Sequence, residues 1–292
     1  MKSFIDCIPC FVRQSLDACR MITSDEETIR VLMPKLLAEL SSTDLTMPPP
    51  AVVSRVHRII RKELNNNDPY RKLKKQSTQK ALELSKSAED MIAKSNSPFD
   101  CAVRFAIAGN ILDFGAKTDW NEDRVMNSFK LAMEKQLTDN QVTELYSKIE
   151  MAKTVLVLGD NAGEALFDRL LIEKFPGDAK VYYAVKGSPV INDVTEEDAL
   201  DVDLDKVACI ISNGADIPGT MLSECSDEFK QLFKEADVVV SKGQGNFETL
   251  NENDREIFFI LQIKCASLAH RNGYTEGDWV VTSTTSLKEL ND

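Results

Sequence analysis

Histidine is almost missing: the 292 residues contain two, His57 and His270, far apart in the chain. A tetrahedral zinc site draws four ligands from Cys and His, and only one Cys-x-x-Cys is available, Cys7-Ile8-Pro9-Cys10. Those two thiols stay open between simple proximity and a redox or auxiliary metal role. His57 sits in an amphipathic helical pattern and His270 behind an apolar segment, so both read as structural. Basic charge is also short. Lys and Arg number 35 against 47 Asp and Glu, a net charge of −12. Nucleic-acid and anionic-membrane binding need clustered Lys and Arg, so both partners are excluded. No apolar run reaches the roughly 20 residues of a membrane helix. Asp6 and Arg13 interrupt any signal-peptide core. A soluble, cytoplasmic protein is expected. Internal repeats, low-complexity tracts, the G-x-G-x-x-G fingerprint and the Walker loop are all absent. The cysteine count is odd, seven (Cys7, Cys10, Cys19, Cys101, Cys209, Cys225 and Cys265), which suits reduced thiols better than a disulfide framework.

What is present divides into two textures. Residues 1–150 read as helices. Ser24-Asp25-Glu26-Glu27 resembles a capping box, followed at helical spacing by Ile29, Leu32, Met33, Leu36, Leu37 and Leu40. Pro34 predicts a kink or restart there. Pro48-Pro49-Pro50 reads as a break, Val52, Val56, Ile59 and Ile60 as the next helix, and the Asn-rich stretch 65–69 as its end. Further helical patterns cover 71–95, 100–113, 122–136 and 139–150. From 151 to 292, short β-branched runs alternate with helical segments: 154–158, 181–185, 207–211, 238–240, 257–263 and 279–282. Continuous apolar strands separated by helices predict an α/β fold: an open, mostly parallel, Rossmann-like sheet with helices on both faces, beside an N-terminal helical domain. Such sheets bind ligands at the carboxyl ends of their strands.

Chemistry gathers at those ends. Gly159-Asp160-Asn161-Ala162-Gly163-Glu164 follows the first strand, and Lys186-Gly187-Ser188-Pro189 and then Asn192-Asp193 follow the second. Ser212-Asn213-Gly214-Ala215-Asp216 follows the third, and Ser241-Lys242-Gly243-Gln244-Gly245-Asn246 the fourth. In a parallel sheet these loops converge. Asp160, Asn161 and Asp193 are hard oxygen donors suited to Mg²⁺ or Mn²⁺. Lys242 can neutralise a phosphate while Gly243 and Gly245 let backbone approach it. A divalent ion beside a phosphate polarises it and can activate a water, so the chemistry indicated is metal-assisted phosphoester hydrolysis. Asp216 is a candidate for positioning water or substrate; read singly, it is equally a turn device before Ile-Pro-Gly-Thr, and Asp160 equally an N-cap. Asp160-Asn161 is not the D-x-D pair of haloacid-dehalogenase-type phosphatases, so no phospho-aspartate is expected.

Taken in order, CIPC, NNNDPY (65–70), RFAIAGNILDFG (104–115), GDNAGE (159–164), INDVT (191–195), SNGADIPGT (212–220) and SKGQGNFE (241–248) resemble the damage-control phosphatase family, formerly domain-of-unknown-function family 89, in its short prokaryotic branch. The resemblance implies a metal-dependent phosphatase acting on small phosphorylated metabolites such as sugar phosphates. It implies a metal held by Asp160, Asn161 and Asp193, with Co²⁺, Ni²⁺, Mn²⁺ and Mg²⁺ all admissible, and a phosphate met by Lys242 with Gly243, Gly245 and Asn246 around it. It also implies a cleft wall near Asn110 and Asp113. The other readings are a carboxyl methyltransferase on a similar sheet and a non-catalytic phosphometabolite-binding protein. The number of subunits is not legible.

Overall fold

A computed structural model describes residues 1–111 and 133–289. Three helices open the chain: α1 (Cys7–Ile22), α2 (Glu26–Ser41) and α3 (Pro49–Glu63). They bury Ala18, Cys19, Ile29, Leu32, Leu36, Val56 and Ile60 against one another. Three local expectations are corrected here. The N-cap of α2 is Asp25, not Ser24: its carboxylate accepts from the backbone N–H of Glu27 and Thr28. Pro34 does not restart α2, which runs on through it; burial of Leu32 and Leu36 on its inner face offsets the lost backbone hydrogen bond. The proline triplet starts a helix instead of breaking one. Pro48 is the N-cap of α3, and Pro49 and Pro50 occupy the first turn, where a missing N–H leaves nothing unsatisfied.

Helices α4 (Arg71–Lys94) and α5 (Pro98–Ile111) come next, then β1 (Asp139–Asn140), α6 (Val142–Met151) and β2 (Thr154–Leu158). The remaining elements alternate: α7 (Ala165–Ile172), β3 (Lys180–Val185), α8 (Glu196–Leu200), β4 (Cys209–Ser212), α9 (Asp227–Glu235), β5 (Val238–Lys242), α10 (Gly243–Leu250), β6 (Phe258–Gln262), α11 (Ala266–Arg271), β7 (Trp279–Ser283) and α12 (Thr284–Glu289). The seven strands among the described residues lie in the order β1-β7-β6-β5-β2-β3-β4. Every pair is parallel except β6 with β7.

Successive strand residues point to opposite faces. Val155, Val157, Val238, Val240, Phe258 and Ile260 pack on one side with α4, α5, α6 and α7. Leu156, Leu158, Val239, Phe259, Leu261 and Val280 pack on the other with α9, α10, α11 and α12. Thus α4 and α5, grouped by sequence with the helical half, share the sheet's own core. Gly109 in α5 is required by this packing: a Cβ there would lie 2.6 Å from the Phe167 ring of α7. No helix among the described residues is long and apolar enough to cross a membrane. All seven cysteines are free; Cys7 is buried in the first turn of α1 and Cys10 is exposed.

Candidate functional site

Strand β2 lies between β3 and β5. From β2 the chain moves outward to β3 and β4, then returns to the other flank for β5 and β6. The loops after β2 and β5 therefore diverge, which opens a crevice at the carboxyl edge where such sheets hold ligands. The four loops singled out in the sequence do share this edge, because β2, β3, β4 and β5 are parallel. A fifth exit, after β6, joins them.

Asp160, Asn161 and Asp193 meet through backbone pairing. Asn161 and Asp193 form an isolated antiparallel bridge. The Val194 N–H donates to the Asp160 carbonyl at 2.8 Å, and the Ala162 N–H to that of Asn192 at 3.0 Å. The Asn161 amide donates to Asp160 Oδ2 at 2.9 Å and to Glu164 Oε2 at 3.2 Å. Burial, then the negative charges of Glu164 and Asp193, push the Asp160 carboxyl well above its usual range, against the opposing pull of Lys264 and Lys186. Burial raises Asp193 to about 6, although Lys186 opposes it from 3.3 Å. Asp193 Oδ2 is buried and receives no well-aligned hydrogen bond.

Among the described residues no three His, Cys, Asp or Glu side chains form a metal cage. The donor set is two carboxylates and one amide. That set fits an ion of the Mg²⁺ or Mn²⁺ kind, which takes one or two carboxylates and fills its shell with water and substrate phosphate. The like charges crowded around Asp160 fit a cation as well.

The remaining expected residues are distributed differently. Lys242 is fully buried. Its ammonium donates to the Ala106 carbonyl at 3.0 Å, to Asp168 Oδ1 at 2.7 Å and to Glu164 Oε1, so its three hydrogens are engaged by protein and not presented to the crevice. Burial opposes its charge, but Asp168 and Glu164 push its pKa up. Asn246, also buried, ties three exits together. It donates to the Gly159 carbonyl at 3.1 Å and the Lys242 carbonyl at 2.8 Å, and accepts from the Thr220 hydroxyl at 2.7 Å. Gly243 stands at the mouth of the crevice with φ +78°, where a Cβ would overlap the Asp160 carboxylate. Gly245 packs beside the backbone of Gly219. Asp216 is gripped from the helical side by Arg58 (Nε at 3.0 Å from both carboxylate oxygens) and Arg61 (2.5 Å). Burial opposes its charge, but these guanidiniums outweigh it and hold the carboxyl below its usual range. Asp113 lies outside the described residues, and so does the side chain of Asn110.

Sequence reasoning missed the layer beneath the donors. Asp168 accepts from the Tyr183 hydroxyl at 2.8 Å, and burial raises its carboxyl to about 6 against the pull of Lys242. Lys186 donates to the Gly219 carbonyl and pairs with Asp193. Lys264, exposed just past β6, acts on Asp160 through its charge. Lys186 and Glu164 lay in strand-exit strings already visible in sequence. Nothing local marked Arg58 and Arg61, which read as ordinary charges on an amphipathic helix.

The profile of the damage-control phosphatase ARMT1-like domain matches residues 3–280. A damage-control phosphatase of Pyrococcus horikoshii is 37% identical over 92% of this chain and 93% of its own. One from Archaeoglobus fulgidus is 31% identical over 94% and 96%. The crystal structure of a domain-of-unknown-function-89 protein from P. horikoshii superposes with a TM-score of 0.91 at 33% identity, covering 97% of this chain and 99% of that one. With its switch-point crevice, its paired acidic exits and this likeness along nearly its whole length, the chain belongs to the damage-control phosphatase ARMT1-like family.

Proposed function

We propose that the protein is a metal-dependent phosphatase that hydrolyses small phosphorylated metabolites such as sugar phosphates. The observation that carries this reading is the meeting of two buried carboxylates and an amide at the sheet's switch point, where burial holds both carboxyls above their usual range and, at Asp160, the charges of Glu164 and Asp193 add to it. The relatives named damage-control phosphatases support it. Asp160, Asn161 and Asp193 would hold the ion: Mg²⁺, Mn²⁺, Co²⁺ or Ni²⁺. When bound, it polarises the phosphoryl oxygens and lowers the pKa of water. The chain's own groups do the rest. Lys264, exposed beside Asp160, meets the phosphate as a point charge. The first-turn N–H groups of α10, from Gly243 to Gly245, face an anion in the crevice. Lys186 balances Asp193. Lys242 anchors Glu164 and Asp168 beneath the site.

The test is hydrolysis of p-nitrophenyl phosphate with each of the four metals, with and without chelator. Turnover lost on chelation and in Asp160→Ala is expected. Tight sugar-phosphate binding without turnover would identify a sensor, and methyl transfer without added metal would identify a methyltransferase; either outcome refutes the phosphatase.

A further inference from the structure

An amide differs from a carboxylate in having one face that donates and one that accepts. At Asn161 the donating face is fully occupied. Its two hydrogens go to Asp160 Oδ2 at 2.9 Å and Glu164 Oε2 at 3.2 Å. Turning the amide over would set its oxygen against two carboxylate oxygens, so the chemistry permits one orientation. Glu164 cannot swing aside to relax it. It is 1% exposed, its backbone N–H donates to the Asn161 backbone carbonyl at 3.2 Å, and its other oxygen accepts from Lys242. Lys242 is held in turn by Asp168, and Asp168 by Tyr183.

We propose that Glu164 is a positioning residue that fixes the Asn161 amide with its carbonyl oxygen turned to the cation, and that it thereby selects asparagine over aspartate at position 161. This rests on the metal reading above. Glu164 touches neither ion nor substrate; it acts through the amide. Glutamine at 164 has one oxygen and one NH₂. The buried Lys242 ammonium demands the oxygen, so the NH₂ faces the NH₂ of Asn161; the amide then keeps a donor set against a donor or turns its oxygen inward against Asp160 Oδ2, and either way the hold on its cation-facing oxygen is lost.

The experiment measures Mn²⁺ affinity without substrate, by electron paramagnetic resonance of the free ion. Unfolding in chelator checks that each variant is folded. Glu164→Gln is expected to weaken Mn²⁺ binding by about 10–100-fold, the usual size of a lost outer-shell contact. Asn161→Asp alone sets a third carboxylate against Asp160 and Glu164 and also weakens it. In the double variant Asn161→Asp/Glu164→Gln, the glutamine NH₂ donates to one oxygen of the new carboxylate and leaves the other for the cation. Affinity should then recover at least about tenfold over Asn161→Asp, which a merely structural Glu164 would not produce. Wild-type-like affinity in Glu164→Gln, or no recovery in the double variant, overturns the inference while leaving the metal reading intact. A wild-type protein that binds no Mn²⁺ overturns both.

Discussion

The tightest geometric demand at the site is at Gly243. Its φ of +78° lies in the left-handed region, and an added Cβ would lie 2.7 Å from Asp160 Oδ1 and closer still to Oδ2 and Cγ. Gly243→Ala therefore carries two separable costs. The backbone cost is about 1–2 kcal/mol, since a Cβ disfavours this region by that much. The steric cost is displacement of the Asp160 carboxylate by more than about 1 Å, because non-bonded heavy atoms settle near 3.5 Å. Misplacement of that size in an active site reduces rate by about 100-fold. Gly273 provides the control: φ is +72°, yet nothing lies within 4 Å of its would-be Cβ. Gly273→Ala should lose about 1–2 kcal/mol in urea unfolding and keep full turnover. Gly243→Ala should lose at least as much stability and, in addition, about 100-fold in kcat/KM toward p-nitrophenyl phosphate, with weakened Mn²⁺ binding. If Gly243→Ala turns over and binds metal like the wild type, or if both variants lose activity equally, the argument that Gly243 makes room for a metal-holding carboxylate is wrong.

Other outcomes follow from the same structure. Asp160→Asn should raise the melting temperature in chelator, because it removes a buried charge crowded by Glu164 and Asp193, while cutting turnover by more than about 100-fold; a lower melting temperature would contradict the crowding. Lys242→Met leaves Glu164 and Asp168 buried without their cation and should cost about 3–5 kcal/mol in urea unfolding; a loss below about 1 kcal/mol would mean that Lys242 is not the anchor described. His57 is held at about 4 by burial and then by Arg61, below its usual 6.5. The folded protein keeps it neutral while the unfolded chain takes up a proton, so stability should fall between pH 6.5 and 4 by up to about 3 kcal/mol. His57→Phe should lose less over that interval, and equal acid sensitivity in the two proteins would refute the assignment. Mn²⁺ at 100 times its dissociation constant should stabilise the native protein by about 2.7 kcal/mol, and Asp193→Asn should abolish most of that gain in a thermal melt.

Much of the architecture was readable before any coordinates. The six apolar runs after residue 150 correspond to β2 through β7, because strands buried on both faces are apolar throughout; the edge strand β4, by contrast, is half exposed. The strand-exit loops were legible for the same reason: polar strings directly behind such runs have only the sheet edge to occupy. The antiparallel turn of β7 and the two-residue β1 were not, since pairing direction leaves no trace in a short run of valines. Prolines misled in both directions. Proline at a helix start is favourable and Pro34 is tolerated because its neighbours pack, and neither fact is local.

At the site, sequence put Asp160, Asn161 and Asp193 just past parallel strands, and the fold brings their backbones together. Tertiary structure alone decided what faces them. Lys242 looked like a phosphate ligand from its glycine-rich surroundings, yet its ammonium points beneath the sheet edge to Glu164 and Asp168. Asp216 looked like a substrate contact and is clasped by Arg58 and Arg61, more than 150 positions earlier in the chain. Strand position is set by apolar periodicity, which is written locally. The partner of a charge is set by which groups burial leaves within reach, and these come from segments whose proximity only the folded chain creates.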